Sequence, residues 1–380
     1  MSDLLVMVDS GAYSAWSKGV EVKIEDYLDF CLENSWVDYF VNLDVMPPRR
    51  LDHSGLDRRS ALFSSAEFSL RNYEQLSKLL GPSRLLPVFH MGTPIRFLRR
   101  YLDLGCQYIC IGAVSGKDRT WRCKEFTAFL KYLPKDGNLR MHGLGITDVL
   151  GMESFSWYSV DSATWRLEAG YGKILVPQYK QGEFRYGEMP VRIFVTPKEQ
   201  REGWYQEGTG GLSHVPVSYR DRVQEYLDEV GVGIGKYEIV DVPEGYEIQR
   251  GKELWYDEKR TKIVRTLEHG VSTCHFARMK VNAYYFTKMA EHFGVISYLG
   301  GRSENCNCDC FDEFDGTIRA RLVSFAYLRS KWWTDKTLNA LKEQKLKGEE
   351  HVGASEGPST TDSGSGGVVA NAEVGSAWGC

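Results

Sequence analysis

Leu4-Leu5-Val6-Met7-Val8 is an unbroken apolar run, and Asp9-Ser10-Gly11-Ala12-Tyr13 follows it directly. A run of that length reads as a buried strand, and the acid-Ser-Gly that ends it reads as a tight turn into a helix. The unit recurs. Similar runs occupy Tyr39–Leu43, Leu85–Phe89, Tyr108–Ile111, Leu139–Met141 and Trp157–Val160. The segments between them carry helical spacing. Ile24, Tyr27, Leu28, Cys31 and Leu32 form one apolar stripe, and Phe126, Phe129, Leu130 and Leu133 form another, closed by Pro134. Ser64 and Glu67 make a capping-box pattern, with Gly81-Pro82 as the stop. Thr93-Pro94 opens a further helix that Gly105 ends.

Strands that are apolar throughout, alternating with helices, mean a parallel sheet covered by helices. The two common solutions are an open doubly wound sheet and a closed eight-stranded barrel. The open dinucleotide-binding form needs G-x-G-x-x-G after its first strand, and Asp9-Ser10-Gly11-Ala12 does not supply it. There is no phosphate-cradling G-x-x-x-x-G-K-[ST] either, so no nucleotide cofactor is expected. Gly231, Gly233 and Gly235 follow a helical pattern (Val223, Tyr226, Leu227, Val230) and read as a turn. The residues that follow the strands are Asp9, Asp44, His90, Gly112, His142 and Asp161. A barrel gathers the carboxyl ends of all its strands on one face, where catalytic groups collect. The reading is therefore a TIM-like (β/α)8 barrel.

Residues 1–177 make the first part of that barrel. From 178 to 265 the alternation gives way to a more polar, Glu-, Gly- and Tyr-rich stretch, read as an inserted accessory lobe. Residues 266–347 return to helical spacing and hold a cysteine cluster. The Gly/Ser/Thr-rich tail 348–380 lacks the apolar surface to offset ordering entropy and is expected to be disordered. The 380-residue chain is 42% hydrophobic with a formal charge of −4, so a core is affordable, but no overall positive field recruits nucleic acid. No apolar run reaches the roughly 18 residues of a membrane span, and Met1–Val8 lacks the basic start of a signal peptide. Cys31, Cys106, Cys110 and Cys123 are scattered singly, as in a reducing cytoplasm.

Two aspartates facing one another across a pocket suit glycosidic-bond chemistry. One carboxylate attacks the sugar carbon and the other, with a raised pKa, shuttles protons. Tyr13, four residues after Asp9, offers a flat face for a base. Each residue also has a plainer role: Asp9 in a turn, Asp44 before Met46-Pro47-Pro48 in another, His90 as hydrogen-bonded scaffold, Asp161 as a helix cap.

Five segments then resemble a family in order along residues 5–165. Val8-Asp9-Ser10-Gly11-Ala12-Tyr13-Ser14 resembles the Asp-Ser-Gly-Gly-Phe/Tyr-Gln signature of tRNA-guanine transglycosylases. Pro87-Val88-Phe89-His90-Met91-Gly92 is similar to their Val-Gln-Gly-Gly strand end, and Ile111-Gly112-Ala113-Val114-Ser115-Gly116 to their Ile-Gly-Gly-Leu-Ser-Val-Gly loop. His142-Gly143-Leu144-Gly145-Ile146-Thr147-Asp148 resembles Met-Gly-Val-Gly-Thr-Pro-Glu-Asp, and Trp157–Ser162 stands where the nucleophile segment would. The forms Asp-Ser-Gly-Ala-Tyr-Ser and Val-Asp-Ser-Ala-Thr-Trp look closer to the paralogous phage-type DNA 7-deazaguanine transglycosylases (the DpdA family).

That resemblance implies a barrel enzyme that exchanges guanine in DNA for a free 7-deazaguanine base, such as 7-cyano-7-deazaguanine, through a covalent Asp–nucleotide intermediate. It assigns Asp161 as nucleophile and Asp9 as general acid/base. Tyr13 would stack on the base and Asp44 would read its hydrogen-bonding edge. His90 would take the place of a glutamine amide, and Gly112, Ala113 and Gly143 would line the base. The family's zinc pattern is altered here to Cys306-x-Cys308-x-Cys310, and Arg329 stands in the place of the ligand His. Three close thiolates still favour a structural zinc, with Cys274, His275 or His292 as fourth-ligand candidates. Arg49-Arg50, Arg58-Arg59, Arg99-Arg100, Lys117–Lys124, Lys259-Arg260-Lys262-Arg265 and Arg319-Arg321 are either phosphate contacts or solvated faces. The competing readings are exchange into tRNA, a non-catalytic nucleic-acid-binding barrel, and an unrelated hydrolase using a cysteine-bound metal.

Overall fold

The computed structural model describes residues 4–47, 57–112, 119–135, 137–146, 148–153, 155–197, 212, 215–249, 252–300, 319–325 and 338–347. The expected units appear in chain order: β1 (Leu5–Asp9), α1 (Ala12–Lys18), α2 (Ile24–Glu33), β2 (Tyr39–Val41), α3 (Arg58–Leu80), β3 (Leu85–Leu86), β4 (Val88–His90), α4 (Arg96–Asp103), β5 (Tyr108–Gly112), α5 (Arg119–Leu130), β6 (Arg140–Gly143), α6 (Val149–Glu153), β7 (Ser159–Ser162) and α7 (Thr164–Gly170). Tyr27 and Cys31 bury the α2 stripe, while Leu32 at its margin is exposed. One boundary differs from the sequence reading. The helix expected to open at Ser64 opens at Arg58, where the Asp57 carboxylate accepts the Ser60 N–H at 2.8 Å. Ser64 and Glu67 lie within α3, and Glu67 instead pairs with Arg71 one turn on.

Among the described residues nine strands form one sheet, in the order β3-β2-β1-β16-β15-β7-β6-β5-β4. Here β15 is Ile296–Gly300 and β16 is Ala320–Ser324, and every pairing is parallel. The two end strands of that order, β3 and β4, are consecutive stretches divided only by Pro87. Proline has no N–H for the ladder, but its carbonyl accepts from Cys110 N at 2.9 Å. The sheet is therefore nearly closed and barrel-like, with helices on its outside. Met7, Val41, Leu86, Val88, Tyr108, Cys110, Tyr298 and Ala320 cluster as one buried set. A larger cluster holds alternate strand residues such as Val6, Val8, Ile109 and Ile111 together with the flanking helices.

Two of these strands come from the stretch read as helical, 266–347. Ile296–Gly300 and Ala320–Ser324 escaped notice because each breaks the apolar run. Ser297 and Tyr298 interrupt the first, and Arg321 sits in the second. Arg321 is fully buried, donating to the Leu299 carbonyl at 3.0 Å with its guanidinium over Trp165.

Between α7 and β15 the chain builds a second core. β8 (Lys173–Val176) pairs antiparallel with β11 (Val191–Phe194), and β9 (Gln178–Lys180) pairs antiparallel with β10 (Glu183–Arg185). Next comes α8 (Val217–Val230), closed by Gly231 at φ 71°, so the glycine triplet does begin as a helix-ending turn. A small antiparallel sheet follows, β12 (Lys236–Asp241), β13 (Glu253–Trp255) and β14 (Lys262–Glu268), in the order β12-β14-β13. The long helix α9 (His275–Phe293) serves both cores. Ala277 and Val281 face the second, while Met279, Ala283, Phe286 and Met289 face the barrel. Asn282, fully buried, ties the two together: it accepts from Leu175 N and donates to the carbonyls of Trp165 and Lys173.

No described helix is long and apolar enough to cross a membrane.

Candidate active site

Because the sheet is parallel, its strand endings share a face. Asp9 ends β1, His90 ends β4, Gly112 ends β5, Gly143 ends β6 and Asp161 lies one residue short of the end of β7. Asp44 follows β2 by three residues and is buried.

Asp9 is the electrostatic centre. Its carboxylate accepts from Gly11 N–H at 3.2 Å, a local turn that Gly11 can close because it adopts φ 71°. That bond and one from Ser10 favour the charged form. Burial and the negative charges of Asp44 and Asp161 oppose it and prevail, raising Asp9 from 3.8 to about 7. The three carboxylates thus share one field.

Asp44 and His90 form a pair, with His90 Nε2 2.8 Å from Asp44 Oδ2. The Asp44 carboxylate accepts from Nε2–H, which leaves Nδ1 as an acceptor in the neutral ring. That nitrogen lies over Gly112: a Cβ added there would fall 2.6 Å from it. Gly143 is similarly confined, by Ile146 at 2.6 Å and Trp157 at 3.2 Å. Both positions need glycine for space, not for backbone freedom.

Asp161 accepts the Gly145 N–H at Oδ1, 2.6 Å away. His142 Nε2 approaches the same oxygen at 3.5 Å. Asp161 Oδ2 accepts no hydrogen bond among the described residues. Gly145, at φ 67°, makes the turn that aims its N–H at the carboxylate.

Tyr13 behaves differently from the others. It sits on α1, 64% exposed, with its ring 5.7 Å from that of Trp16. It stands at the protein surface. Ala113 and Cys306, Cys308 and Cys310 lie outside the described residues. Among the described residues no cluster of three or more metal-ligating side chains occurs. The fourth-ligand candidates are split along α9. Cys274 is its N-cap, buried in the second core, and His275 is its first residue. His292 is in its last turn, against Phe293 and Gly187. The two ends are about 26 Å apart at 1.5 Å per residue, so one ion can draw on only one of them.

Several of the candidate phosphate-binding cations are occupied within the protein. Arg100 pairs with Glu74, Arg265 with Glu238 and Glu253, and Lys262 with Asp241. Arg99 lies over Tyr132 and Arg260 over Trp255. Arg321 is in the interior. Arg49, Arg50 and Lys117 fall outside the described residues, as does the Arg58 side chain.

The sequence reading gave no role to Tyr108, Ser159 or Ser324, and none to His142 beyond its place at a strand end. Ser324, in register with Asp9, holds a buried hydroxyl with no partner among the described residues. Strand-end position was the one signal available for it, and β16 was not recognised as a strand.

No protein-family model matches the chain, and no curated protein is significantly similar to it. The strand ends offer an acid raised to about 7, a carboxylate anchored by a backbone N–H and an imidazole–carboxylate pair.

Proposed function

We propose that the protein is a guanine-exchanging transglycosylase acting on DNA, with a complete (β/α)8 barrel in which β3 and β4 are one strand interrupted at Pro87. The observation that carries the reading is the electrostatic division among three carboxylates gathered at the carboxyl ends of the strands. Asp9 is raised to about 7 by burial, with the charges of Asp44 and Asp161 adding to it, and Asp161 is held by a backbone N–H at one oxygen while the other accepts no hydrogen bond among the described residues.

An acid that titrates near neutral pH can both give and take a proton. In the first half-reaction Asp161 Oδ2 forms a bond to the sugar C1′. The C1′–N bond breaks, its electron pair stays on guanine, and protonated Asp9 supplies the proton guanine needs. In the second half the incoming 7-deazaguanine loses its N–H proton to Asp9 and attacks C1′. The C1′–O bond breaks and the pair returns to Asp161. Protons and charge balance over the cycle, and configuration at C1′ is retained after two inversions. Asp44 and His90 are suited to reading the base edge, because the pair joins two polar groups at the strand ends. A guanine inside a duplex must leave the stack to reach them.

The test is incubation with duplex DNA and a labelled 7-deazaguanine, followed by denaturing electrophoresis and mass spectrometry. The expected results are label in DNA and a protein–DNA adduct, both lost in Asp161→Ala. Label entering tRNA but not DNA would reassign the substrate. Incorporation that persists in Asp161→Ala would overturn the mechanism.

A further inference from the structure

Beneath Asp161 runs a chain of buried polar groups that the two half-reactions do not use. Tyr108 on β5 places its hydroxyl 2.5 Å from Ser159 Oγ on β7. Ser159 Oγ lies 2.6 Å from His142 Nδ1 on β6. The imidazole is fully buried, in register with Ser159, and flanked by the Tyr298 ring at 5.8 Å. Among the described residues its Nε2 has no hydrogen-bond partner, and it faces Asp161 Oδ1 at 3.5 Å.

The direction of this chain follows from counting hydrogens. Ser159 has one proton to give, and Tyr108 has no other acceptor among the described residues. If His142 Nδ1 donated to Ser159, then Ser159 would donate to Tyr108 and the phenol proton would be left buried without an acceptor, at real cost. The opposite direction satisfies the phenol, the hydroxyl and Nδ1: Tyr108 O–H donates to Ser159, and Ser159 O–H donates to His142 Nδ1. Nδ1 is then an acceptor, and the ring proton of the neutral imidazole sits on Nε2, pointing at Asp161.

We propose that His142 is a positioning residue for Asp161, its Nε2–H held by the Tyr108–Ser159 chain to donate to Oδ1 and so turn Oδ2 toward the sugar. The proposal rests on the transglycosylase reading for its consequence, but not for its geometry. Hydrogen bonds in unliganded sites are often long and tighten once the reacting complex forms. A donor at Oδ1 matters most when Asp161 regains its negative charge, as the C1′–O bond breaks in the second half-reaction. Its loss slows release of the nucleotide from Asp161 more than its attachment.

The first experiment follows single turnovers in wild type, His142→Leu, His142→Gln and Ser159→Ala. In His142→Leu, adduct breakdown is expected to slow about 10- to 100-fold, the loss of one buried hydrogen bond to a charged group. Adduct formation changes much less, so the adduct accumulates, and KM for the free base is unchanged. His142→Gln, which keeps an N–H donor, restores part of the rate, and Ser159→Ala falls between. Breakdown in His142→Leu at the wild-type rate would overturn the proposal. A wild type that forms no adduct defeats the transglycosylase reading instead. The second experiment is independent of activity: nitrogen NMR of histidine-labelled protein, with His142 assigned by its loss in His142→Gln. A protonated Nε2 and bare Nδ1, with an Nε2 signal that moves in Asp161→Asn, support the proposal. A protonated Nδ1, or an Nε2 signal indifferent to Asp161→Asn, overturns it.

Discussion

Replacing Asp9 by asparagine separates the chemistry of the cavity from its cost. In the folded protein Asp9 holds its proton up to about pH 7, against 3.8 for an ordinary aspartate. Below about pH 4 the group is neutral in both folded and unfolded chains and costs nothing. Between pH 4 and 7 the unfolded chain releases the proton while the folded one retains it, so folding stability falls as pH rises. Above about 7 both forms are ionised and the loss is complete. At about 1.4 kcal/mol per pH unit the full span corresponds to about 4 kcal/mol. Solvent at the cavity mouth screens part of it, which brings the expected effect to about 2–3 kcal/mol. Asparagine is nearly isosteric, can still accept from Gly11 N–H, and carries no charge. Asp9→Asn should therefore match wild type in urea unfolding at pH 4.5 to within about 1 kcal/mol, and exceed it by about 2–3 kcal/mol at pH 8.5, while losing base exchange. Trp157 and Trp165, both buried, give the fluorescence signal. Taking the difference between variant and wild type removes the other titrating groups common to both. A stability gain that does not grow with pH would refute the assignment of Asp9 as a carboxylate held protonated by burial and by its acidic neighbours.

Because Asp9 must donate in one half-reaction and accept in the next, kcat for exchange should be bell-shaped with its maximum near pH 7, and a profile flat from pH 5.5 to 8.5 would exclude Asp9 from proton transfer. Gly112→Ala should push the His90 ring off Asp44, since the new methyl falls 2.6 Å from Nδ1; steady-state kinetics should show KM for the free base raised about tenfold or more, with a smaller change in kcat. Asn282→Ala should leave Leu175 N and the Trp165 and Lys173 carbonyls without their partner at the joint between the two cores, and urea unfolding should show a loss on the order of 2–4 kcal/mol.

What the sequence revealed follows a physical rule. Buried parallel strands read as continuous apolar runs, so the runs from Leu4 to Val160 announced six strands, and their endings named Asp9, Asp44, His90, Gly112 and Asp161 before any coordinates. Where a strand carries its own polar groups, that rule fails. Arg321 is an interior residue held by a carbonyl and an indole face, an arrangement that exists only after folding. Asp57 was missed as a helix cap because a second, equally good capping pattern lay seven residues on. The Tyr108–Ser159–His142 chain was hidden for another reason: its members are 17 and 51 residues apart and meet only through strand register, which a single sequence does not encode locally.

The same register explains why the late strands matter to the site. Asp9 and Asp161 are not on neighbouring strands, because β16 and β15 stand between β1 and β7. Three inter-strand steps of about 4.8 Å set strands β1 and β7 about 14 Å apart along the curved sheet. The second core is inserted in the chain between β7 and β15, and α9, shared by both cores, leads directly into β15. Gly300 at the end of β15 lets that strand close up on β7, where a Cβ would come within 3.2 Å of the Ser162 carbonyl. The spacing of the two carboxylates is therefore fixed by a C-terminal segment that carries neither of them. Packing around α9, far from the cavity in sequence, becomes a determinant of how Asp9 and Asp161 face one another.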